Sequence, residues 1–140
     1  MSGLPEHPNV DLAVRYHRAV ADGAVGPELA AYFHPEVVQY EMPNPFAPIG
    51  ARRDLAAILA AAERGRGVVA DQRFEFRDAL VDGDRVVLET TWTATLAVKI
   101  GALAAGTVLR ADIAAVLVFR DGLIVEQRNY DCYHPMADQS

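Results

Sequence analysis

The 140-residue sequence predicts a single α+β domain, in which three N-terminal helices pack on a strongly curved, mostly antiparallel sheet that encloses a pocket. The length is that of one domain. Apolar residues make up 51% of the chain, which favours a packed core over disorder. Helical spacing in the first half and period-two alternation in the second are the order typical of an α+β fold.

The N-terminal half begins with two predicted helices. Residues 1–8, which include two prolines, are expected to form a loose N-terminal segment, and Asn9 is the predicted N-cap of the first helix. Gly23 ends that helix. A second, short helix is expected to begin at Pro27, to run through Phe33 and to end at Pro35.

A strand, a loop and a third helix complete this half. Residues 36–42 favour a strand, and the prolines and glycine of residues 43–50 favour a loop. The alanine-rich residues 52–64 carry leucine and isoleucine on one face and predict a helix that ends at Gly65 and Gly67.

The C-terminal half predicts four strands separated by turns and one flexible connection. The expected strands cover residues 73–77, 85–98, 107–119 and 123–132. A sheet this large beside three helices must curl to cover its inner face, which makes a cone with a mouth. We therefore expect one domain over residues 9–135 and a short tail over residues 136–140.

Charge and composition exclude several classes of function. The net charge is −6 and the basic residues are scattered, whereas nucleic-acid binding needs a basic face. No apolar run is long enough to span a bilayer, and residues 1–8 do not read as a signal peptide. A single cysteine, Cys132, excludes an internal disulfide. These features predict a cytoplasmic protein without nucleic-acid or membrane partners.

Three segments resemble the SnoaL-like proteins of the nuclear transport factor two superfamily, in an order that covers residues 10–133. They are the helix around Tyr16 with the following residues 32–36, the segment Tyr40-Glu41-Met42-Pro43 with Gly50, and the ending over residues 119–131. The resemblance implies the cone-shaped fold. It does not imply one activity, because this fold hosts isomerases, cyclases, hydrolases, dehydratases and binding proteins.

The resemblance to ketosteroid isomerases implies two catalytic residues. Glu41 stands where those enzymes carry a carboxylate base, and a carboxylate beside an apolar pocket can move a proton near neutral pH. Tyr16 stands where they carry a phenol that stabilises an enolate oxygen. The alternatives are a solvated loop carboxylate and a core tyrosine. Their second oxyanion donor would fall near Ala115, and the nearest acid, Asp112, points to the other face of a regular strand.

The ending departs from the Arg-Asp-aromatic motif of the cyclases and epoxide hydrolases that it resembles. It reads Arg128-Asn129-Tyr130, and asparagine cannot act as a general base. Gln127, Asn129 and Asp131 share one face of the strand, so Asp131 could replace the missing acid if that face points inward. The alternative is an acid near the strand end that is solvated at the rim of the pocket.

The remaining predictions concern the pocket, cofactors and partners. The predicted pocket residues are His17, Tyr40, Trp92, Asp112, Gln127 and Asn129. The histidines and the cysteine lack metal-ligand spacing, and no cofactor motif occurs, so we expect no metal and no cofactor. Two functions stay open: a cofactor-free isomerase or cyclase acting on a small apolar carbonyl compound, and a non-catalytic binding module for an apolar or aromatic ligand. The apolar strand over residues 107–119 predicts a homodimer through the sheet.

Overall fold

The computed structural model describes residues 3–136, which form three helices and six strands. The elements are α1 (Pro8–Ala21), α2 (Gly26–Ala30), β1 (Phe33–Glu41), β2 (Ala51–Arg53), α3 (Leu55–Gly65), β3 (Val69–Asp82), β4 (Arg85–Leu96), β5 (Val108–Arg120) and β6 (Leu123–Tyr133). None of the helices in this range is long and apolar enough to cross a membrane.

Helix α1 begins two residues before its predicted start. The N-cap is His7, whose Nδ1 accepts a hydrogen bond from the backbone N–H of Asn9 at 3.1 Å. Pro8 then takes the first helical position, where its missing N–H needs no partner. The prediction that Asn9 is the N-cap was wrong. The imidazole nitrogen of His7 accepts the capping hydrogen bond that the Asn9 side-chain oxygen was expected to accept.

Helix α2 is shorter than predicted, and β1 begins within the segment assigned to it. Phe33 pairs with Ile124 of β6, and the Ile124 N–H donates to the Tyr32 carbonyl oxygen at 3.1 Å. This tertiary pairing takes residues 32–35 out of the helix. Pro35 lies in β1 at the point where the pairing with β6 is interrupted, between Phe33 and Val38. No carbonyl group of β6 therefore needs the N–H that proline lacks.

The start of the predicted third helix is instead a short strand. β2 pairs with the end of β1, with Gln39 opposite Arg53 and Glu41 opposite Ala51. Helix α3 starts only after Asp54, whose Oδ1 accepts the Ala57 N–H at 2.9 Å. The pairing of β2 with β1 brings Arg53 beside Glu41, so that the two side chains form a hydrogen-bonded ion pair near the candidate site.

The sheet is a single curved layer in the order β2-β1-β6-β5-β4-β3. Only the β1–β6 pair is parallel, as expected for a mostly antiparallel sheet. We call the face covered by α1 and α3 the inner face, and the opposite one the outer face; α1 packs on β3 and β4, and α3 on β1. The architecture is the predicted α+β cone.

The inner face is packed at one end by side chains with no measurable exposure. These include Val86 and Leu88 of β4, Leu117 of β5 and Ile124 of β6. We call this half the packed end. A register shift between Val118 and Phe119 then changes which residues of β6 point inward, so that both Ile124 and Gln127 lie on the inner face.

Candidate functional site

The other half of the inner face surrounds a cavity of about 180 Å³, which we call the inner cavity. It lies between α1 and the strands β3 to β6. Most of its wall is aromatic or aliphatic, and its polar groups come from a few side chains. The lining residues are Tyr16, His17, Val20, Gln72, Phe74, Trp92, Ile113, Gln127, Asn129, Asp131 and Tyr133.

A larger depression of about 920 Å³ lies between residues 3–6 and α1. Its charged residues, Glu6, Asp11, Arg15 and Arg18, are all exposed to solvent. An exposed charge keeps its ordinary chemistry, whereas a buried polar group is perturbed by its surroundings. The smaller inner cavity, which is lined by buried polar groups, is therefore the candidate site.

Asp131 is the one carboxyl group that lines the inner cavity. Its Oδ1 atom is buried and has no hydrogen-bond partner in the described part of the chain. Burial raises the pKa of Asp131 from 3.8 to about 6, and the negative charge of Glu41 adds to that rise. A hydrogen bond from Asn129 opposes the rise in pKa without cancelling it. The inward orientation left open by the sequence is the one observed.

A chain of hydrogen bonds connects the polar groups on the floor of the cavity. The Tyr16 hydroxyl donates to Gln127 Oε1 at 2.9 Å, and Gln39 Nε2 donates to the same oxygen at 3.0 Å. Gln127 Nε2 in turn donates to Asn129 Oδ1 at 2.9 Å. Gln127 is buried, so these bonds hold its amide in one orientation. The motif residue Asn129 therefore links the amide network to Asp131.

Glu41 lies at the edge of this network and does not line the cavity. Arg53 Nη2 donates to its Oε1 at 3.0 Å, and Asn44 Nδ2 donates to its Oε2 at 2.8 Å. Gly50, at φ +71°, permits the loop to close on this strand end, because a Cβ there would lie 2.6 Å from the Glu41 carbonyl oxygen. Both carboxylate oxygens of Glu41 are thus engaged.

Tyr16 lies on the first helix as predicted, but its proton is engaged with Gln127. Burial raises the pKa of Tyr16 to about 12, so the phenol remains neutral. To stabilise an oxyanion, its hydroxyl would have to leave Gln127.

His17 is also a neutral group of the cavity wall. Its Nδ1 lies 2.8 Å from the Ala13 carbonyl oxygen, which can only accept, so Nδ1 carries the proton and Nε2 is an acceptor. Burial lowers the pKa of His17 to about 4. The ring packs edge-on against Phe74, with centroids 5.0 Å apart.

Five of the cavity residues were not singled out from the sequence: Val20, Gln72, Phe74, Ile113 and Tyr133. Tyr133 lies two positions after Asp131 on the same strand face, and its hydroxyl has no hydrogen-bond partner within residues 3–136. Burial, followed by the charges of Asp131 and Glu41, raises its pKa. The period-two spacing of Asn129, Asp131 and Tyr133 was the signal that could have identified it.

Trp92 lines the cavity, and two other predicted pocket residues lie on the outer face. Tyr40 pairs with Arg128 and packs its ring near Arg52. Asp112 accepts from the Thr91 hydroxyl at 2.9 Å and faces His134 at 2.8 Å. Tyr40 does not line the inner cavity. Side chains alternate along β1, so Tyr40 points to the outer face when Gln39 and Glu41 point to the inner face. Asp112 follows the same rule in β5.

No group of three or more histidine, cysteine, aspartate or glutamate side chains in residues 3–136 is arranged to hold a metal ion. Cys132 is exposed on β6.

A curved sheet closed by helices over a buried polar patch is the cone-shaped fold of the nuclear transport factor two superfamily. The profile of the SnoaL-like domain family matches residues 13–127. The match covers most of the chain, and the chain belongs to the SnoaL-like domain family. No curated protein matches its sequence.

Solved structures of similar shape come from several bacteria. IdmH from Streptomyces antibioticus, a candidate polyketide cyclase, is 20% identical with a TM-score of 0.74, over 89% of this chain and 92% of its own. AclR from Streptomyces galilaeus, a candidate hydroxylase, is 21% identical with a TM-score of 0.73, over 91% and 80%. A protein of ketosteroid isomerase-like fold from Catenulispora acidiphila is 17% identical with a TM-score of 0.69, over 93% and 92%. These likenesses show the fold.

Proposed function

We propose that this protein is a cofactor-free acid–base enzyme, of isomerase or cyclase type, in which Asp131 moves a proton on a small ring-shaped carbonyl compound. The observation that carries the proposal is a carboxyl group at the wall of an aromatic cavity, with one buried oxygen that has no partner. With a pKa of about 6, Asp131 accepts protons near neutral pH better than an ordinary carboxylate does.

The size of the cavity supports a single ring as the reacting part of the substrate. A cavity of about 150 Å³ is enough to hold benzene, and drug-sized ligands need about 300 Å³ or more. The inner cavity is about 180 Å³. One six-membered ring therefore fits against Trp92 and Phe74.

The proposed reaction divides the work between neighbouring residues of β6. Asp131 removes the proton from the carbon next to the carbonyl group, and the electron pair moves onto the carbonyl oxygen as an enolate. Tyr133 has a free hydroxyl on the same strand face and is the proposed donor to that oxygen. When a double bond lies β,γ to the carbonyl group, the enolate is a dienolate. Asp131 then returns the proton at its γ-carbon while the electron pair moves back from the oxygen to re-form the carbonyl group, which completes an isomerisation. Glu41 and Tyr16, the pair expected from the resemblance, become supporting groups.

The test uses a ring that fits, cyclohex-3-enone, in deuterated solvent. Deuterium exchange followed by NMR and conversion to the conjugated isomer followed by absorbance both report proton removal. Asp131→Asn keeps the shape and should lower the rate about a hundredfold or more. Asp112→Asn is the matched control, because the same change is made on the outer face, and it should leave the rate unchanged. A parental rate in Asp131→Asn, or loss of the rate only in Glu41→Gln, would refute the assignment.

A second candidate function is non-catalytic binding of a small apolar or aromatic ligand. It is favoured by Asn129 at the motif position of the acid and by the engagement of Tyr16 with Gln127. Quenching of Trp92 fluorescence by ring compounds, with no proton exchange in any of them, supports this function and contradicts the enzyme.

We also propose that the outer face makes a homodimer. Ala114, Val116 and Val118 alternate there with buried residues of β5 and are only half covered in one chain. A two-fold copy of the same face would cover them. Sedimentation at micromolar concentration should give the mass of two chains, and the mass of one chain would contradict this proposal.

A further inference from the structure

A second cavity of about 510 Å³ adjoins the inner cavity, and we call it the outer chamber. It lies between the ends of α1 and α3 and the beginning of β3. Val20 and Gln72 line both spaces, so these two side chains form the partition between them. The two spaces therefore share part of their walls.

The backbone around Gln72 departs from a regular strand. The register between β3 and β4 shifts between Ala70 and Arg73. Asp71 has a φ of +53°, a left-handed conformation that non-glycine residues rarely adopt. Such bulges re-aim side chains, and they occur often beside functional sites. The irregularity turns Gln72 between the two compartments.

One hydrogen bond holds Gln72 across the partition. Its Oε1 accepts from Trp92 Nε1 at 3.1 Å. Its amide nitrogen has no partner among residues 3–136, and the side chain is half-buried. Breaking a single neutral hydrogen bond costs little when a ligand can replace it. Gln72 can therefore swing aside without disturbing the packed end of the sheet.

We propose that Gln72, together with Val20, is a gate that determines how far a ligand extends from the inner cavity into the outer chamber. The ligand it would admit is an elongated compound of two linked rings, with the reacting ring beside Asp131.

The walls of the outer chamber suit such a second ring. Its floor is apolar, from Val20, Leu29, Ala62 and Val69, and its rim carries exposed charged side chains, Asp22, Arg66 and Asp71. A second ring would contact the apolar floor, and polar groups on its outward end would reach the charged rim. The inference rests on the proposed function, because the inner cavity must hold the reacting ring, but binding can be measured without turnover.

Two phenols of different length test the gate. Phenol has one ring and 4-phenylphenol has two linked rings; binding is measured by calorimetry and by quenching of Trp92, the only tryptophan. Gln72→Ala opens the partition and should tighten 4-phenylphenol binding about tenfold or more while changing phenol binding less than about threefold. Val20→Phe narrows the partition and should weaken 4-phenylphenol selectively. Gln72→Met keeps the length without the hydrogen bond and should fall between wild type and Gln72→Ala.

The possible outcomes separate the gate from the proposed chemistry. Equal changes for both phenols, or no change in any variant, would overturn the gate even if exchange at Asp131 is found. Wild-type protein that binds neither phenol would overturn the one-ring inner cavity and the gate with it. Selective effects on 4-phenylphenol would establish the gate, even if Asp131→Asn left every exchange rate unchanged.

Discussion

The inner face of the sheet has two halves that are built from the same strands and carry different side chains. At the packed end, β6 contributes Ile124 and β5 contributes Leu117, both without measurable exposure. At the cavity end, β6 contributes Gln127, Asn129 and Asp131. Apolar groups fill the first half by contact, whereas hydrogen-bonded amides and a carboxyl group border an open space in the second.

The contrast shows how one sheet provides both stability and chemistry. Buried apolar side chains release ordered water and pack closely, so the packed end stabilises the fold. Buried polar groups need partners, and the network from Tyr16 through Gln127 to Asn129 supplies them. The Oδ1 atom of Asp131 is next to this network but has no hydrogen-bond partner among the described residues. The group to which we assign the chemistry is thus a buried polar group that the fold leaves incompletely paired.

The largest effect is expected from a change at the packed end. Leu117→Ala should lower the free energy of unfolding by about 2–5 kcal/mol, because it removes apolar contacts and leaves a cavity. Leu80→Ala is the matched control: Leu80 is 65% exposed, and its loss should change stability by about 0.5 kcal/mol or less. Urea unfolding of both variants measures the difference. Equal losses would show that the packed end does not dominate stability.

At the cavity end, Asp131 and His17 should give stability opposite dependences on pH. The pKa of Asp131 is raised to about 6, so the folded state holds a proton that the unfolded state loses, and this stabilisation is lost as pH rises from about 4 to 6. The pKa of His17 is lowered to about 4, so the unfolded state gains a proton first, and stability is lost as pH falls from about 6.5 to 4. In the wild type the two effects largely cancel.

Replacing Asp131 or His17 one at a time should reveal the effect of the remaining group on the pH dependence of stability. Between pH 4 and 6.5, stability should rise with pH in Asp131→Asn and fall with pH in His17→Phe, with a divergence on the order of 5 kcal/mol. Denaturant unfolding at several pH values measures both slopes, and ionisable groups elsewhere affect the two variants equally. Parallel slopes would mean that neither group is perturbed in the folded protein.

The smallest expected effect is that of Glu41 on its neighbour. Glu41→Gln removes a negative charge near Asp131 and should move the pKa of Asp131 downward from about 6. Carbon NMR of the carboxyl group across a pH titration measures the shift directly and needs no substrate. Glu36→Gln is the control, because Glu36 is an exposed residue of the same strand, paired with Arg120. An unchanged or higher pKa in Glu41→Gln would exclude electrostatic coupling between the two carboxyl groups.

Much of the fold could be predicted because the sequence patterns are long and unambiguous. The turn at residues 82–84 and the long strands β4 and β5 lie within two residues of their expected ends. The errors fall where tertiary pairing overrides local preference. Phe33 joins β6 instead of continuing a helix, and residues 51–53 pair with β1. The strand expected over residues 73–77 extends over Val69–Asp82, because it pairs with β4 along that whole length. Short segments have little intrinsic preference, so their partners decide.

The candidate site could be predicted only in part. Besides Asp131, five residues that the sequence offered as candidates line the cavity: Tyr16, His17, Trp92, Gln127 and Asn129. The sequence alone did not rank the two acids, because Glu41 and Asp131 differ in their surroundings and not in their chemistry. Arg53 and Asn44 donate hydrogen bonds to Glu41. The sequence predicted a helix at Arg53 and a loop at Asn44, so it did not predict either as a partner of Glu41.

The sequence by itself determined the fold class, the family and the set of polar residues available to the pocket, since these depend on periodicity and residue type. Only the tertiary structure decided which of the two candidate carboxyl groups lines the cavity. The register shift beside Phe119 sets which residues of β6 face inward, and the one beyond Ala70 turns Gln72 between two compartments. Because side chains alternate with a period of two, a shift of one residue exchanges the inner and outer faces, and no local pattern specifies where that shift occurs.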